Sequence, residues 1–358
     1  MKILSVAIPA YNVEKYIQRC LITFIEESIM NDLEVIIVND GSTDRTPEIV
    51  LEYTNRYPET FKLVNKKNGG HGSAVNTGIQ YSTGKYFRVV DGDDWVDTDD
   101  LVELIQSLKK TDVDAVSMHY HRVNMITGAR DEVRENNVQF GKVYRFKDLK
   151  IEDRYFTLAS TCFKTSILKE LNYKFQENTY FVDVEYIIMP IVKINTVMFL
   201  DLYVYKYFVG NENQSISLKN LVRRYDHHDR VVKSCIRYIN TVNTDEVHKK
   251  YMYNIIKKVL FTHYSIALVY NEDKEQGAID AKEFDEFLRK ESPYLYEETN
   301  KEFGYIRDLR KYEFDHKKYE NAFPIKCKAL AYRFKNQLLR VRKMLGKIKR
   351  LIFRILNI

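Results

Sequence analysis

The chain has 358 residues, 45% of them hydrophobic and 30% charged, an ordinary globular composition with length for two compact units. Its four cysteines, at 20, 162, 235 and 327, are too widely spaced for a metal-ligand pattern or a disulfide framework and suit free thiols in a reducing compartment. No run reaches the roughly 18 to 20 apolar residues of a membrane helix, and the formal net charge of +6 is small enough to be set by one local basic stretch.

Ile3 to Pro9 reads as a short apolar strand ended by proline. Ala10-Tyr11-Asn12-Val13-Glu14 is the turn that opens a helix, in which Ile17, Cys20, Leu21, Phe24 and Ile25 recur at the spacing of one buried face. Because the first run stops at Pro9 and enters a turn, it reads as a core strand and not a secretion signal, and a cytoplasmic protein is expected. The unit then repeats. Leu33 to Val38 is a second apolar strand, broken by Asn39-Asp40-Gly41-Ser42-Thr43-Asp44, after which Thr46 is placed to N-cap a helix with Pro47 at its first position. A third strand, Phe61 to Val64, leads into Asn68-Gly69-Gly70-His71-Gly72 and a helix through Ala74, Val75 and Ile79. Apolar strands alternating with helices predict an α/β domain, a parallel sheet covered on both faces. Ligands of such sheets bind beyond the carboxyl ends of the strands.

The fourth strand ends in Val89-Val90-Asp91-Gly92-Asp93-Asp94-Trp95. Three carboxylates so close repel one another and are tolerated mainly beside a divalent cation or another positive group. One reading is a Mg or Mn site facing a nucleotide diphosphate; the other is a solvated acidic turn capping the next helix. All four polar loops follow strands, so they gather on one rim.

Ile8-Pro9-Ala10-Tyr11-Asn12-Val13-Glu14, Val38-Asn39-Asp40-Gly41-Ser42-Thr43-Asp44, Asn68-Gly69-Gly70 with Asn76 and Gly78, and Asp91-Gly92-Asp93-Asp94 resemble, in that order, the nucleotide-binding half of the family 2 glycosyltransferases. Their GT-A fold is Rossmann-like, a mostly parallel sheet with helices on both faces. The resemblance implies a UDP-sugar donor held by Pro9, Tyr11, Asn12 and Glu14, by Asp40 at the uracil or ribose, and by Gly69, Gly70 and Asn76. It makes Asp93 the main ligand of Mn or Mg, with Asp91 at the ribose or in the metal's shell. The chain departs from the family pattern at Asn39, where an acid is usual, at Val75, where many members carry arginine, and at His71 in the glycine loop.

The resemblance extends more thinly to residue 217. Phe175 to Tyr186 is similar to the segment that supplies the catalytic base, with Val182 in place of the usual Glu and Asp183 keeping the Asp position. Asp183 is thereby the expected base of an inverting transfer, and Glu185 the first substitute. On the residues alone, Asp183 reads first as a helix N-terminal acid favoured by the macrodipole, with Glu185 solvated. Gln214 and Ser215 resemble a loop over the donor phosphates, against a plain glycine turn, and Lys164 resembles an acceptor contact, against a surface lysine. The Gln-x-x-Arg-Trp motif of processive members is missing, since the one tryptophan is Trp95, so one sugar is expected per encounter. A sugar nucleotidyltransferase would need a basic glycine-rich loop after the first strand, which Pro9 to Asn12 is not. A non-catalytic partner subunit is favoured only by Val182 and Asn39.

Residues 218–320 show helical spacing, as in Met252, Ile255, Ile256, Val259, Leu260 and His263, and His227-His228 read as surface residues. From 321 to 358 there are eleven Lys or Arg and no Asp or Glu, with apolar residues every three or four positions. That is a basic amphipathic helix, suited to an anionic membrane surface or to packing on a core with its basic face solvated. The expected organisation is a catalytic GT-A domain over 1–217, a helical region over 218–320 and this basic helix over 321–358. The expected function is inverting, metal-dependent transfer of a hexose or N-acetylhexosamine from a UDP-sugar to a glycan or lipid-linked oligosaccharide in surface polysaccharide assembly. It would occur at the cytoplasmic face of the membrane and involve no nucleic acid.

Overall fold

In a computed structural model, residues 2–124, 126–134, 138–149, 156–171, 173–210, 217–315 and 317–318 are described. Strands β1 (Leu4–Ala10) and β2 (Leu33–Asn39) are buried on both faces, as their unbroken apolar runs require. With β3 (Phe61–Asn65) and β4 (Tyr86–Val89) they form the parallel block β3-β2-β1-β4. Register pairs Ala10 with Asn39 and Asn39 with Asn65, so the carboxyl ends of these three strands are level. Val89 pairs with Ala7, and the chain leaves β4 beside Pro9. Helices α1 (Ile17–Ile22), α2 (Thr46–Arg56) and α3 (Gly70–Tyr81) make the crossovers.

Beyond β4 the sheet becomes mixed. After β5 (Trp95–Val96) and α4 (Thr98–Lys109) come β6 (Ala115–Ser117), β7 (Tyr120–Asn124), β8 (Arg130–Val133), β9 (Val143–Arg145) and β10 (Thr161–Lys164). Helices α5 (Thr165–Lys169) and α6 (Asp183–Ile188) precede β11 (Thr196–Phe199) and β12 (Tyr205–Val209). The eight-stranded sheet runs β3-β2-β1-β4-β10-β6-β11-β9, with β10 antiparallel to both neighbours. The smaller sheet runs β5-β12-β7-β8, and its edge strand β5 follows the acidic turn after β4. The fold is therefore the expected α/β class, with the parallel order confined largely to its first half.

Two local expectations change. Helix α1 stops at Ile22, where the Thr23 hydroxyl donates to the Cys20 carbonyl, although Phe24 remains buried. Thr46 does not cap α2; its hydroxyl accepts from the Val13 amide, and Asp44 accepts from the Thr46 amide instead. At the opposite end of the sheet, buried Glu34 takes hydrogen bonds from Ser5, from the Thr83 and Gly84 amides and from Lys62. A lone carboxylate there would be costly, and this full set of donors makes it a clamp on the start of β4.

Packing divides the chain after His263, so the first compact unit continues past 217. Helices α7 (Leu218–Arg223), α8 (Tyr225–Thr241) and most of α9 (Glu246–Ser265) belong to it, and α8 packs on α6, with the Tyr238 hydroxyl donating to the Met189 carbonyl. The second unit contains α10 (Lys274–Glu291), α11 (Pro293–Glu302) and α12 (Gly304–Arg310). Arg310 there donates to both oxygens of Asp285 and to Asn300, joining all three helices. Among the described residues no helix is long and apolar enough to cross a membrane. The basic segment 321–358, with Cys327, lies outside the described residues.

Candidate active site

The acidic cluster sits where β4 ends. Asp94 is buried; the Tyr205 hydroxyl donates to its Oδ2 at 2.5 Å and the Phe208 amide to its Oδ1 at 2.7 Å, so this acid anchors the turn to β12. Asp91 and Asp93 remain partly open. Burial first, then the Asp91 charge, push Asp93 up to about 6, with Arg19 and His71 pulling the other way. A cation is what such a pair lacks. Part of that need is met within the protein. His71 Nε2 lies 2.9 Å from Asp91 Oδ1; burial lowers the affinity of His71 for its proton, but the bond to Asp91 and the charges of Asp183 and Asp93 outweigh it. Arg19, stacked 3.9 Å over Trp95, donates to the Asp93 carbonyl.

The loops after β1, β2 and β3 are tied together. Asn12, at a left-handed φ of 52°, donates through its amide to Ser42 and accepts from the Thr43 amide, while Glu14 accepts from the Arg45 amide. Asp40 is buried and accepts from Lys66 at 2.6 Å, from the Gly69 amide at 2.9 Å and from the Gly70 amide at 2.7 Å. Expected at the uracil or ribose, it holds the glycine loop in this structure. Tyr11, 52% exposed, presents a free ring on the same rim beside half-buried Pro9.

Asp183 reaches this rim from a distant part of the sequence. It starts α6 and is exposed, with its carboxyl held above the usual range by desolvation in the cleft and by Asp91, against the pull of His71. The segment before it is fixed against α3. Gly70 takes φ +81° where a Cβ would press on Asn178, and a Cβ on Gly72 would strike the Gln176 carbonyl, so glycine at both positions lets the two backbones touch.

A sequence model of the family described as Glycosyl transferase family 2 matches residues 5–170, the span that builds the parallel block and the acidic turn. Residues 5–170 are a family 2 glycosyl transferase domain. The chain is 34% identical to the uncharacterized glycosyltransferase EpsJ of Bacillus subtilis over 120 residues, 34% of each protein. It is 30% identical over 179 residues to the minor teichoic acid biosynthesis protein GgaB of the same organism, 49% of this chain and 19% of that one. These matches thus span about a third and a fifth of the relatives' own lengths. The structure of S. aureus TarS 1-349 in complex with UDP-GlcNAc shares the fold, with a TM-score of 0.63 at 19% identity over 90% of this chain and 92% of that one.

Several family-derived expectations meet a different geometry. The Asn76 side chain donates to the Phe175 carbonyl and accepts from the Phe175 amide, so it fixes the approach to Asp183 and has both groups occupied. Glu185 is neither solvated nor available as a substitute base: it is fully buried and accepts from Tyr173, from the Gln176 amide and from the Gln176 side chain. Lys164 pairs with Asp112 beside the start of β4, at the opposite end of the sheet from the acidic cluster. His228 is buried and bonds His263 at 3.0 Å, contrary to its expected place on the surface. Gln214 and Ser215 lie outside the described residues. The sequence departure at His71 marked a participant whose role only the geometry supplies, and Tyr207 on β12 joins it, its hydroxyl made less acidic by burial and by the charges of Asp94, Asp91 and Asp183.

Proposed function

We propose that the chain is an inverting glycosyltransferase that moves a sugar from a UDP-sugar to an acceptor hydroxyl. The observation that carries this reading is the meeting of Asp183 with His71, Asp91 and Asp93 at the carboxyl edge of a family 2 domain. Tyr11 and Pro9 would take the nucleobase, with the Asp40-braced loop as the floor beside it. Asp183 accepts the proton of the acceptor hydroxyl, and a carboxylate raised above its usual range is a stronger base at neutral pH. Inversion follows if that hydroxyl attacks from the side opposite the diphosphate.

Among the described residues no three His, Cys, Asp or Glu are grouped to hold a metal. Asp91 and Asp93 nevertheless fit a hard divalent cation whose remaining ligands are water and phosphate, and the raised Asp93 is the mark of a site short of positive charge. When bound, Mn or Mg would neutralise the departing diphosphate. The similarity to GgaB supports an acceptor in surface polysaccharide synthesis. The charge and apolar spacing of 321–358 support attachment to an anionic membrane, where a lipid-linked acceptor would lie.

The donor class is tested by thermal unfolding of the full chain with nucleotides and Mn. A ligand that binds only the folded state at about 100 times its Kd adds about 2.7 kcal/mol. UDP should therefore raise the Tm by roughly 4 °C, and GDP by much less. Equal shifts would remove the uridine assignment.

A further inference from the structure

Beside α3, away from the acids, lies a groove of about 870 Å³. One wall is α3 itself, where Thr77 and exposed Gln80 face the groove while Ser73 is buried and Asn76 is committed to Phe175; exposed Asn68 and Asn178 add amides at its ends. Tyr173 to Asn178 supply much of the other wall, and Leu168 and Leu171 add apolar surface. Four lysines line it. Lys66 is paired with Asp40, and Lys169 donates to the Ser82 carbonyl at 2.7 Å. Lys67 and Lys174 are exposed, and their ammonium groups meet no carboxylate among the described residues. Among the described residues the lining contains one acid, Glu177.

The neutral groups of Thr77, Gln80, Asn68 and Asn178 with two uncommitted cations match one ligand chemistry, a chain of sugar hydroxyls bearing negative charge. The volume falls in the range of small-molecule pockets, enough for a few sugar rings. The groove also connects to the reaction rim. Its far wall is the segment that Asn76 and Glu185 hold, and Asn178 donates to the Gly69 carbonyl where that wall meets the glycine loop. A chain lying there would end at the glycine loop that Asp40 braces. We propose that this groove binds an acidic oligosaccharide, the stretch of acceptor glycan behind the hydroxyl that receives the sugar; the acceptor role rests on the transferase reading above.

The test is isothermal titration of the full chain with trigalacturonate, with neutral maltotriose of the same length, and with tripolyphosphate. Trigalacturonate should bind at least tenfold more tightly than either of the others. The Lys67→Gln/Lys174→Gln double variant should lose at least tenfold of that affinity, while Lys290→Gln/Lys301→Gln, on exposed lysines outside the groove's lining, should lose less than twofold. An unchanged affinity in the groove variant overturns the proposal, as does maltotriose or tripolyphosphate binding as tightly as trigalacturonate. UDP-dependent thermal stabilisation, read on the same proteins, separates the two readings. Its absence from the wild-type chain counts against the transferase, whereas a wild-type chain that UDP stabilises but trigalacturonate does not bind counts against the groove alone.

Discussion

Asp183→Asn should lower turnover by roughly 100-fold or more while leaving UDP affinity close to that of the wild type. The amide keeps the shape of the side chain at the start of α6 but cannot take a proton from the acceptor. Glu185, two residues on, does not stand ready to replace it, because it is buried under three hydrogen bonds. Glu185→Gln should therefore behave differently, weakening the hold on Tyr173 and Gln176 and lowering stability along with activity. Single-turnover kinetics with parallel urea unfolding separate the two. An Asp183→Asn enzyme with normal turnover would show that the base lies elsewhere.

Asp93→Ala should abolish transfer and remove the Mn-dependent part of stabilisation by UDP. Without metal, the same substitution should have the opposite sign on stability. Asp93 is raised to about 6 in the folded chain, against about 4 for a free Asp, so between those values the folded state binds the extra proton and stability falls as pH rises. The cost is absent below about pH 4, complete above about pH 6, and at most on the order of 3 kcal/mol. Metal-free Asp93→Asn should thus be more stable than wild type at pH 7.5, and the advantage should shrink toward pH 4.5. Thermal melts in EDTA at the two values check this. A variant no more stable at pH 7.5 would mean that His71 and Arg19 already neutralise the cluster.

How far the sequence discloses this site depends on the distance over which each residue acts. The parallel block was legible because apolar runs such as Leu33 to Val38, punctuated by glycine and proline, report burial locally. The rim was legible too, since strand ends place the loops. Roles were harder to read, because partners lie far along the chain: Asp40 meets Gly69 at a separation of 29 residues and Asn76 meets Phe175 at 99. Nothing near Glu185 announces that Tyr173 and Gln176 will fold over it, so a polar residue at a helix start reads as solvated. His228 misleads for the same reason, its burial being set by His263 on α9. The mixed half of the sheet was opaque because its strands are three or four residues long, too short for periodicity to distinguish them from loops.

The most direct measurement is the anomeric configuration of the sugar released when the chain turns over an α-linked UDP-sugar. Proton NMR during the first minutes, before mutarotation, reports it with water as acceptor and needs no knowledge of the natural glycan. A single attack opposite the diphosphate, assisted by Asp183, predicts that the β anomer forms first and that Asp183→Asn forms it far more slowly. Appearance of the α anomer first would contradict an inverting transfer and the role given to Asp183.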